Sequence, residues 1–99
     1  MIVVNAIVTT TQEDIVALQS AISTMEAASR EEPGCLDYTF SVELNNPNVM
    51  RITEKWQSLD DLKAHFATPH MAEFQGTMGG NPPASLDVCF YEVEEIHPF

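Results

Sequence analysis

The N-terminal segment of the chain is apolar at both sets of alternating positions. Between Ile2 and Val8, every residue except Asn5 is a valine, an isoleucine or an alanine. Successive side chains of a β-strand point to opposite faces, so a strand that is apolar on both faces must be covered on both. The segment is therefore predicted to be a central strand of a sheet, with other parts of the structure packed above and below it.

A helix is predicted to follow this strand. Thr10 and Glu13 have the spacing of a capping box, in which a hydroxyl and a glutamate three residues later satisfy free backbone amides. The helix runs to about Arg30 and ends at Pro33-Gly34, because proline cannot continue the backbone hydrogen bonds and glycine accommodates the turn. One apolar stripe at helical spacing is expected to face the sheet: Ile15, Leu18, Ile22 and Met25.

The middle of the chain has the pattern of a β-hairpin. Apolar and polar residues alternate strictly from Cys35 to Leu44, a turn rich in asparagine follows, and strand character resumes from Val49 to Trp56. The second strand carries a carboxylate on its apolar face, where a charged group must be neutralised, paired or hydrogen-bonded. That face contains Met50, Ile52, Glu54 and Trp56.

Two further helices and a last strand are predicted in the C-terminal half. Ser58 caps the first of these helices, and Thr68-Pro69 ends it. The residues expected to face inward are Leu59, Leu62 and Phe66, with Ala64 and His65 near the margin of this stripe. The short helix that follows carries Met71, Phe74 and Met78 on one stripe, and the last strand runs from Leu86 to Ile96.

The predicted order of elements is β-α-β-β-α-β, which is typical of an α+β ferredoxin-like sandwich. At 99 residues the chain is expected to form a single domain over residues 1–99. Helices cover only one face of such a sheet, whereas the first and last strands are apolar on both faces. We therefore expect a homodimer in which a second copy covers the open face.

The charge of the chain limits its partners. Four lysines and arginines stand against fifteen aspartates and glutamates, which gives a net charge of −11. Nucleic acid and anionic membranes require a basic face, so neither is an expected partner. We find no apolar run of membrane-spanning length and no secretory signal, and we expect a cytoplasmic protein. Cys35 and Cys89 lack metal-ligand spacing, and no metal, flavin or haem cofactor is expected.

Two parts of the sequence are similar to the two signatures of the antibiotic biosynthesis monooxygenase family. The first is Ser29–Tyr38, and the second is Glu54–His65, followed by Thr68–His70. The resemblance extends over essentially the whole chain and agrees with the predicted order of elements. It implies a dimeric α+β barrel, in which two sheets pack face to face, with a pocket in each subunit between sheet and helices.

The activity implied by this resemblance is oxygenation of electron-rich phenols, hydroquinones or anthrones with O₂, without metal, flavin or haem. Relatives include haem-degrading enzymes and an isomerase of a phosphorylated sugar. The haem degraders resemble the chain at Asn5, but they carry tryptophan in place of His65 and an iron-ligating histidine in place of Gln75. A phosphorylated sugar is disfavoured because Arg51 and Lys55 are expected to point away from the pocket.

Asn5 and His65 are the candidate catalytic residues. An unpaired buried amide costs about 1 to 3 kcal/mol, so Asn5 either meets a structural partner or orients a substrate oxygen. The family match favours the second role. His65 is either a structural histidine or the base that accepts a phenolic proton, since imidazole exchanges protons near neutral pH.

Six further residues are candidates for substrate contact. Trp56 is either core or a planar surface on which an aromatic substrate stacks. Glu54 is either an anchor paired with Arg30 or a dimer-related group, or a partner that tunes the basicity of His65. His70 is expected at the pocket rim, at the start of a helix. The other three are aromatic residues of the core or of an apolar lid: Tyr38, Phe40 and Phe74.

The leading hypothesis from the sequence is a cofactor-independent monooxygenase. The enzyme deprotonates a small electron-rich aromatic molecule and lets the resulting anion reduce O₂ directly. The alternatives are a non-catalytic dimer that binds a small molecule and an isomerase of a small oxygenated metabolite. Oxygen uptake separates the first hypothesis from the other two.

Overall fold

A computed structural model describes residues 1–99 as a four-stranded antiparallel sheet with three helices on one of its faces. The strands are β1 (Ile2–Thr9), β2 (Cys35–Glu43), β3 (Asn46–Trp56) and β4 (Ser85–Glu92). The helices are α1 (Gln12–Arg30), α2 (Leu59–Phe66) and α3 (Pro69–Gly80). The strand order β2-β3-β1-β4 confirms the predicted α+β ferredoxin-like arrangement. None of the three helices combines the length and the apolar character needed to span a lipid bilayer.

β1 lies in the centre of the sheet, as its two apolar faces predicted. It pairs antiparallel with β3 on one side and with β4 on the other. Its even-numbered residues face the helices and are buried in the core: Ile2, Val4, Ala6 and Val8. The odd-numbered residues face the other side of the sheet, where Val3 and Ile7 are half-buried and Asn5 is exposed. We call this side the open face.

The predicted helix caps are confirmed with one shift. Thr11, rather than Thr10, is the N-cap of α1, and its hydroxyl accepts the backbone N–H of Asp14 at 3.1 Å. Ser58 caps α2 as predicted, and α1 ends at Arg30 as predicted. The apolar stripe of α1 packs on the sheet, since its buried residues include Leu18, Ile22 and Met25.

α2 faces the sheet with a different set of residues from the predicted one. Leu62 and His65 are buried, whereas Leu59 and Phe66 are 50% and 49% exposed. The helix has only eight residues, and the ring of His65 packs on Trp56 of β3 with 4.8 Å between ring centroids. This contact turns the polar His65 inward. The predicted inward position of Leu59 is therefore wrong, whereas Phe66, although half exposed, faces the sheet across the cavity and packs on Phe90 with 6.4 Å between ring centroids.

β4 is an edge strand and is shorter than predicted. It pairs only with β1, and the pairing stops at Glu92, which lies opposite Ile2 at the start of β1. The predicted end at Ile96 is wrong because β1 offers no strand residue beyond this point. All residues of β4 are exposed, since α1 and α2 lie over β2 and β3 instead.

Candidate active site

A cavity separates the helices from the β1–β4 side of the sheet. Its volume is about 430 Å³, and 13 of the 18 residues that line it are hydrophobic. Ala6 of β1 and Val88 and Phe90 of β4 form its floor, while Phe74 and Met78 of α3 form part of its wall. The space remains because no helix covers β4. Its size and lining suit a small, mainly apolar molecule.

Glu54 and Tyr38 are the ionisable residues in the cavity lining. The indole of Trp56 holds Glu54, because its Nε1–H donates to Oε1 of the carboxyl at 2.9 Å. Only 9% of Glu54 is exposed, and this burial raises the pKa of the carboxyl above its ordinary value of 4.5. The hydrogen bond from Trp56 and the charge of His65 act in the opposite direction on this pKa. Glu54 thus keeps its proton to higher pH than a surface carboxyl does.

The anticipated pairing of Glu54 with Arg30 is wrong. Arg30 Nε instead donates to the backbone carbonyl of Tyr38 at 2.9 Å, and Nη2 lies 3.5 Å from Oε2 of Glu26. These contacts attach the end of α1 to β2. The Tyr38 hydroxyl is also biased towards its neutral form, because burial and the neighbouring Glu54 both raise the pKa of the phenol.

Behind the cavity wall, one carboxylate joins two histidines. His65 Nδ1 lies 2.7 Å and His70 Nε2 lies 2.8 Å from the same oxygen, Oε2 of Glu32. The His65 ring is fully buried between Trp56 and Tyr38, with 4.8 and 5.3 Å between ring centroids. Its Nε2 has no hydrogen-bond partner. When Nδ1–H donates to Glu32, Nε2 carries a free lone pair, so His65 is an oriented base.

The turn between α1 and β2 places Glu32 against α2 and α3. Its backbone N–H donates to the carbonyl of Ser29 at 3.0 Å, and its own carbonyl accepts the N–H of Cys35 at 3.2 Å. Gly34 has a φ of +80°, and a Cβ at this position would overlap the carboxylate of Asp61. The turn can therefore approach α2 this closely only with glycine at this position. Sequence reasoning missed Glu32, although it stands directly before the Pro-Gly pair of the first signature.

The structure brings together four of the predicted site residues. The four that line the cavity are Tyr38, Phe40, Glu54 and Phe74. Trp56 and His65 lie behind this wall, and His70 instead faces a groove between α1 and α3. Sequence reasoning missed Val88 and Phe90, which reach the cavity only through the pairing of β4 with β1.

Asn5 lies outside the cavity. Val4 and Ala6 line the cavity, and the alternation of side chains along β1 points Asn5 to the open face, where it is exposed. Within one chain the amide is therefore exposed, and its expected burial requires the second copy on the open face. Asn5 and His65 lie on opposite sides of the sheet, so the structure does not bring these two candidate residues together.

Glu32, His65 and His70 also form a cluster with metal-ligand chemistry. One carboxylate oxygen and two imidazole nitrogens lie within 4.8 Å of one another. The cysteine and histidine spacing of the sequence did not predict this cluster, because its members come from three separate elements that only the fold brings together.

Comparison with protein families agrees with the observed fold. A family model described as antibiotic biosynthesis monooxygenase matches residues 1–77. A 63-residue stretch is 35% identical to the uncharacterized protein sll1783 of Synechocystis sp., and it covers 64% of this chain and 41% of that protein. The chain thus spans less than half the length of that curated relative.

Solved structures share the whole architecture. A candidate antibiotic biosynthesis monooxygenase from Deinococcus radiodurans is 25% identical, with a TM-score of 0.90, over 100% of this chain and 98% of that one. A protein of unknown function from Bacteroides thetaiotaomicron is 26% identical, with a TM-score of 0.82, over 93% of this chain and 96% of that one. Both alignments extend well beyond residue 77, so these similarities include the part of the chain that contains β4.

Proposed function

Because this chain belongs to the antibiotic biosynthesis monooxygenase family, we propose that it is a cofactor-independent monooxygenase of small electron-rich aromatic molecules. The substrate is of the hydroquinone, phenol or anthrone type, and the co-substrate is O₂. The observation that carries this proposal is the mainly apolar cavity of about 430 Å³ with the Glu54 carboxyl in its wall. The substrate rings pack against Phe40, Phe74 and Phe90, and a substrate hydroxyl faces Glu54.

In the proposed reaction the substrate supplies all four electrons that reduce O₂, so no external reductant is needed. Its hydroxyl proton passes to the Glu54 carboxylate, which is a stronger base than a surface carboxylate because its pKa is raised. The electron-rich anion then adds O₂ at a ring carbon, and the hydroperoxide loses water. The balance for a hydroquinone is hydroquinone plus O₂ to hydroxyquinone plus H₂O. The protein contributes deprotonation, orientation and exclusion of bulk water.

His65 acts through Glu54 in this proposal. Its Nδ1 is fixed by Glu32 at 2.7 Å, and its charge affects the pKa of Glu54, so the imidazole and the carboxyl interact. Nε2 of His65 has no hydrogen-bond partner in the structure, so the two side chains must first come within hydrogen-bond distance. Transfer of the proton from Glu54 to Nε2 then returns Glu54 to the carboxylate form for the next turnover. Glu54 is then the catalytic base that touches the substrate, and His65 is its proton acceptor.

We also propose that the protein is a homodimer formed through the open face. Val3 lies beside Tyr91 of β4 on that face, and both contribute apolar surface there together with Ile7. A second copy would remove this surface from water. Light scattering at micromolar concentration tests the proposal. The expected mass is that of two chains, and a stable monomer would contradict it.

A binding protein without catalytic activity is the second candidate function. It is favoured by the position of His65, which lies behind the cavity wall rather than in it. An isomerase of a small oxygenated metabolite gains no such support, because the cavity is mainly apolar and no cationic side chain lines it to hold an anionic group. Arg51 and Lys55 alternate with Ile52 and Glu54 along β3 and therefore lie on the open face.

Oxygen uptake tests the proposed function. Metal-free protein is mixed with benzene and naphthalene hydroquinones in an oxygen electrode, and we expect enzyme-dependent uptake. Glu54→Gln keeps the acceptor for Trp56 but removes the base, so uptake should fall by about 10²-fold or more. Glu73→Gln, which changes an exposed carboxylate of α3 outside the cavity, is the matched control.

The outcomes separate the two candidate functions. Saturable binding of hydroquinones without enzyme-dependent uptake would replace the monooxygenase with the binding protein. Uptake by Glu54→Gln at the wild-type rate would remove Glu54 from the mechanism.

A further inference from the structure

We propose that Glu32, His65 and His70 form a binding site for one divalent transition-metal ion. The site lies outside the cavity, since none of the three residues lines it. Two imidazole nitrogens and one carboxylate oxygen suit Zn²⁺ and ions of similar chemistry such as Co²⁺ and Fe²⁺. The monooxygenase function requires no metal, but an ion on Nδ1 of His65 would place the ring proton on Nε2, the atom proposed to accept the proton from Glu54, so metal binding is expected to lower oxygen uptake. Titration with Co²⁺ does not depend on that activity.

The ligand atoms are already close to the arrangement that such an ion requires. Glu32 Oε2 lies 2.7 Å from His65 Nδ1 and 2.8 Å from His70 Nε2. Donors on a tetrahedral ion with bonds of about 2.0 to 2.2 Å lie roughly 3.3 to 3.6 Å apart. The carboxylate oxygen therefore needs to withdraw from each imidazole nitrogen by somewhat more than about half an ångström, while the two nitrogens, which lie within 4.8 Å, approach each other.

The parts of the chain that carry the ligands allow this adjustment. Glu32 lies in the turn after α1, His65 lies on α2, and His70 lies in the first turn of α3. The side chain of His70 is 21% exposed, whereas that of His65 is 0% exposed. An ion can therefore enter from the His70 side and reach the buried imidazole. Once bound, it would join three segments that are far apart in sequence.

The unpartnered Nε2 of His65 is compatible with a metal on Nδ1. Such a metal places the ring proton on Nε2, where it becomes a donor. Metal-binding histidines usually donate this second N–H to a carboxylate or another acceptor. No acceptor lies within hydrogen-bond distance of Nε2 in the structure, so a neighbouring group such as the Glu54 carboxyl would have to move towards it when the ion binds.

The charge of the surroundings also favours a cation. No lysine or arginine forms an ion pair with Glu32; its observed partners are the two histidines. The net charge of −11 adds a long-range attraction for cations. The third histidine of the chain, His97, provides an internal contrast. It lies 3.9 Å from Glu95, and both side chains are largely exposed, so this pair is no preformed site.

Titration with Co²⁺ at neutral pH tests the proposal. Chelator-treated protein is titrated while the visible absorption of the ion is recorded, and we expect the bands to saturate at one Co²⁺ per chain. Zn²⁺ should displace Co²⁺ and raise the melting temperature relative to protein in chelator. Glu32→Gln and His70→Ala should each weaken Co²⁺ binding by at least about tenfold, a loss seen even for residues around a metal ligand.

The control variant is His97→Ala, which should bind Co²⁺ as the wild type does. Circular dichroism melting in chelator verifies that each variant is folded, and Glu32→Gln keeps a hydrogen-bond acceptor for this reason. The proposal is overturned if no saturable absorption develops, or if Glu32→Gln and His70→Ala bind like wild type. It is also overturned if His97→Ala abolishes binding, because the ion would then occupy a surface site.

Discussion

The helix-facing side of the sheet consists of two halves that are built differently. Over β2 and β3, α1 and α2 pack directly on the strands, and Met50, Trp56 and Leu62 are fully buried. Over β1 and β4 the outer strand has no helix above it, and Val88 and Phe90 remain 41% and 55% exposed. Apolar residues of β2 and β3 therefore belong mainly to the core, although Tyr38, Phe40 and Ile52 also reach the cavity, whereas Val88 and Phe90 of β4 form only its floor.

The proposed catalytic carboxyl lies at the boundary between these halves. Glu54 faces the cavity, while the residue that holds it, Trp56, belongs to the packed half. A buried donor behind an accessible space keeps the carboxyl in one position. The comparison teaches that coverage by helices, rather than the hydrophobicity of the strand, decides whether a residue of this sheet stabilises the fold or contacts a ligand.

The largest expected effect is a loss of stability on removing a side chain from the packed half. Trp56→Ala removes a fully buried ring and should lower the free energy of unfolding by about 3 to 5 kcal/mol. Phe90→Ala, in the cavity half, should lower it by about 1 kcal/mol or less, since the ring is already half exposed. Urea denaturation at neutral pH measures both values, and equal losses would show that the two halves do not differ. Should Trp56→Ala fail to fold, Leu62→Ala provides the same comparison with an expected loss of about 2 to 5 kcal/mol.

The next largest effect is on catalysis and concerns His65 and His70, which lie outside the cavity. His65→Ala should lower the rate of oxygen consumption by about 10²-fold, the usual scale for a lost proton acceptor. His70→Ala should have a smaller effect, because it contacts Glu32 at the outer side and does not approach the cavity. Initial rates are measured below the melting temperature of each variant. If His65→Ala retains the wild-type rate, the proton does not pass through His65.

A smaller effect is on the pH dependence of stability. The pKa of Glu54 is raised in the folded protein, so the folded state holds this proton more tightly than the unfolded state. The contribution of Glu54 is fully present below its ordinary pKa of 4.5 and is lost as pH rises through the raised value. The free energy of unfolding of Glu54→Gln should therefore rise relative to wild type across this interval and stay level above it. A difference independent of pH would contradict the raised pKa.

The packed half of the molecule was largely predictable from the sequence. The central position of β1 followed from its two apolar faces, and the place of Glu54 on the apolar side of β3 followed from simple alternation. The same alternation assigns Asn5 to the open face, together with Val3 and Ile7. Asn5 is exposed because no element of this chain covers that face, and its expected burial depends on the second copy of the proposed homodimer.

The cavity half was not predictable in the same way. The cavity arises because a helix is missing above β4, and local periodicity contains no information on which strand stays uncovered. The orientation of α2 was also ambiguous, because its eight residues allow two inward faces. One face contains Leu59 and Phe66, and the other contains Leu62 and His65, which are the buried residues. The contact between Glu32 and the histidines joins positions more than thirty residues apart and depends on the tertiary fold.

The central claim is that the β1–β4 half binds the aromatic substrate, and methionine methyl NMR tests it directly. Protein with labelled methionine methyl groups is titrated under nitrogen with a naphthalene hydroquinone, so that no turnover occurs. Met71 and Met78 line the cavity, whereas Met50 does not line it and belongs to the core cluster on which Met78 packs. The account predicts saturable shifts that are largest for the Met71 and Met78 signals and smaller for Met50. Shifts centred on Met50, or no response of the two cavity methionines, would contradict it.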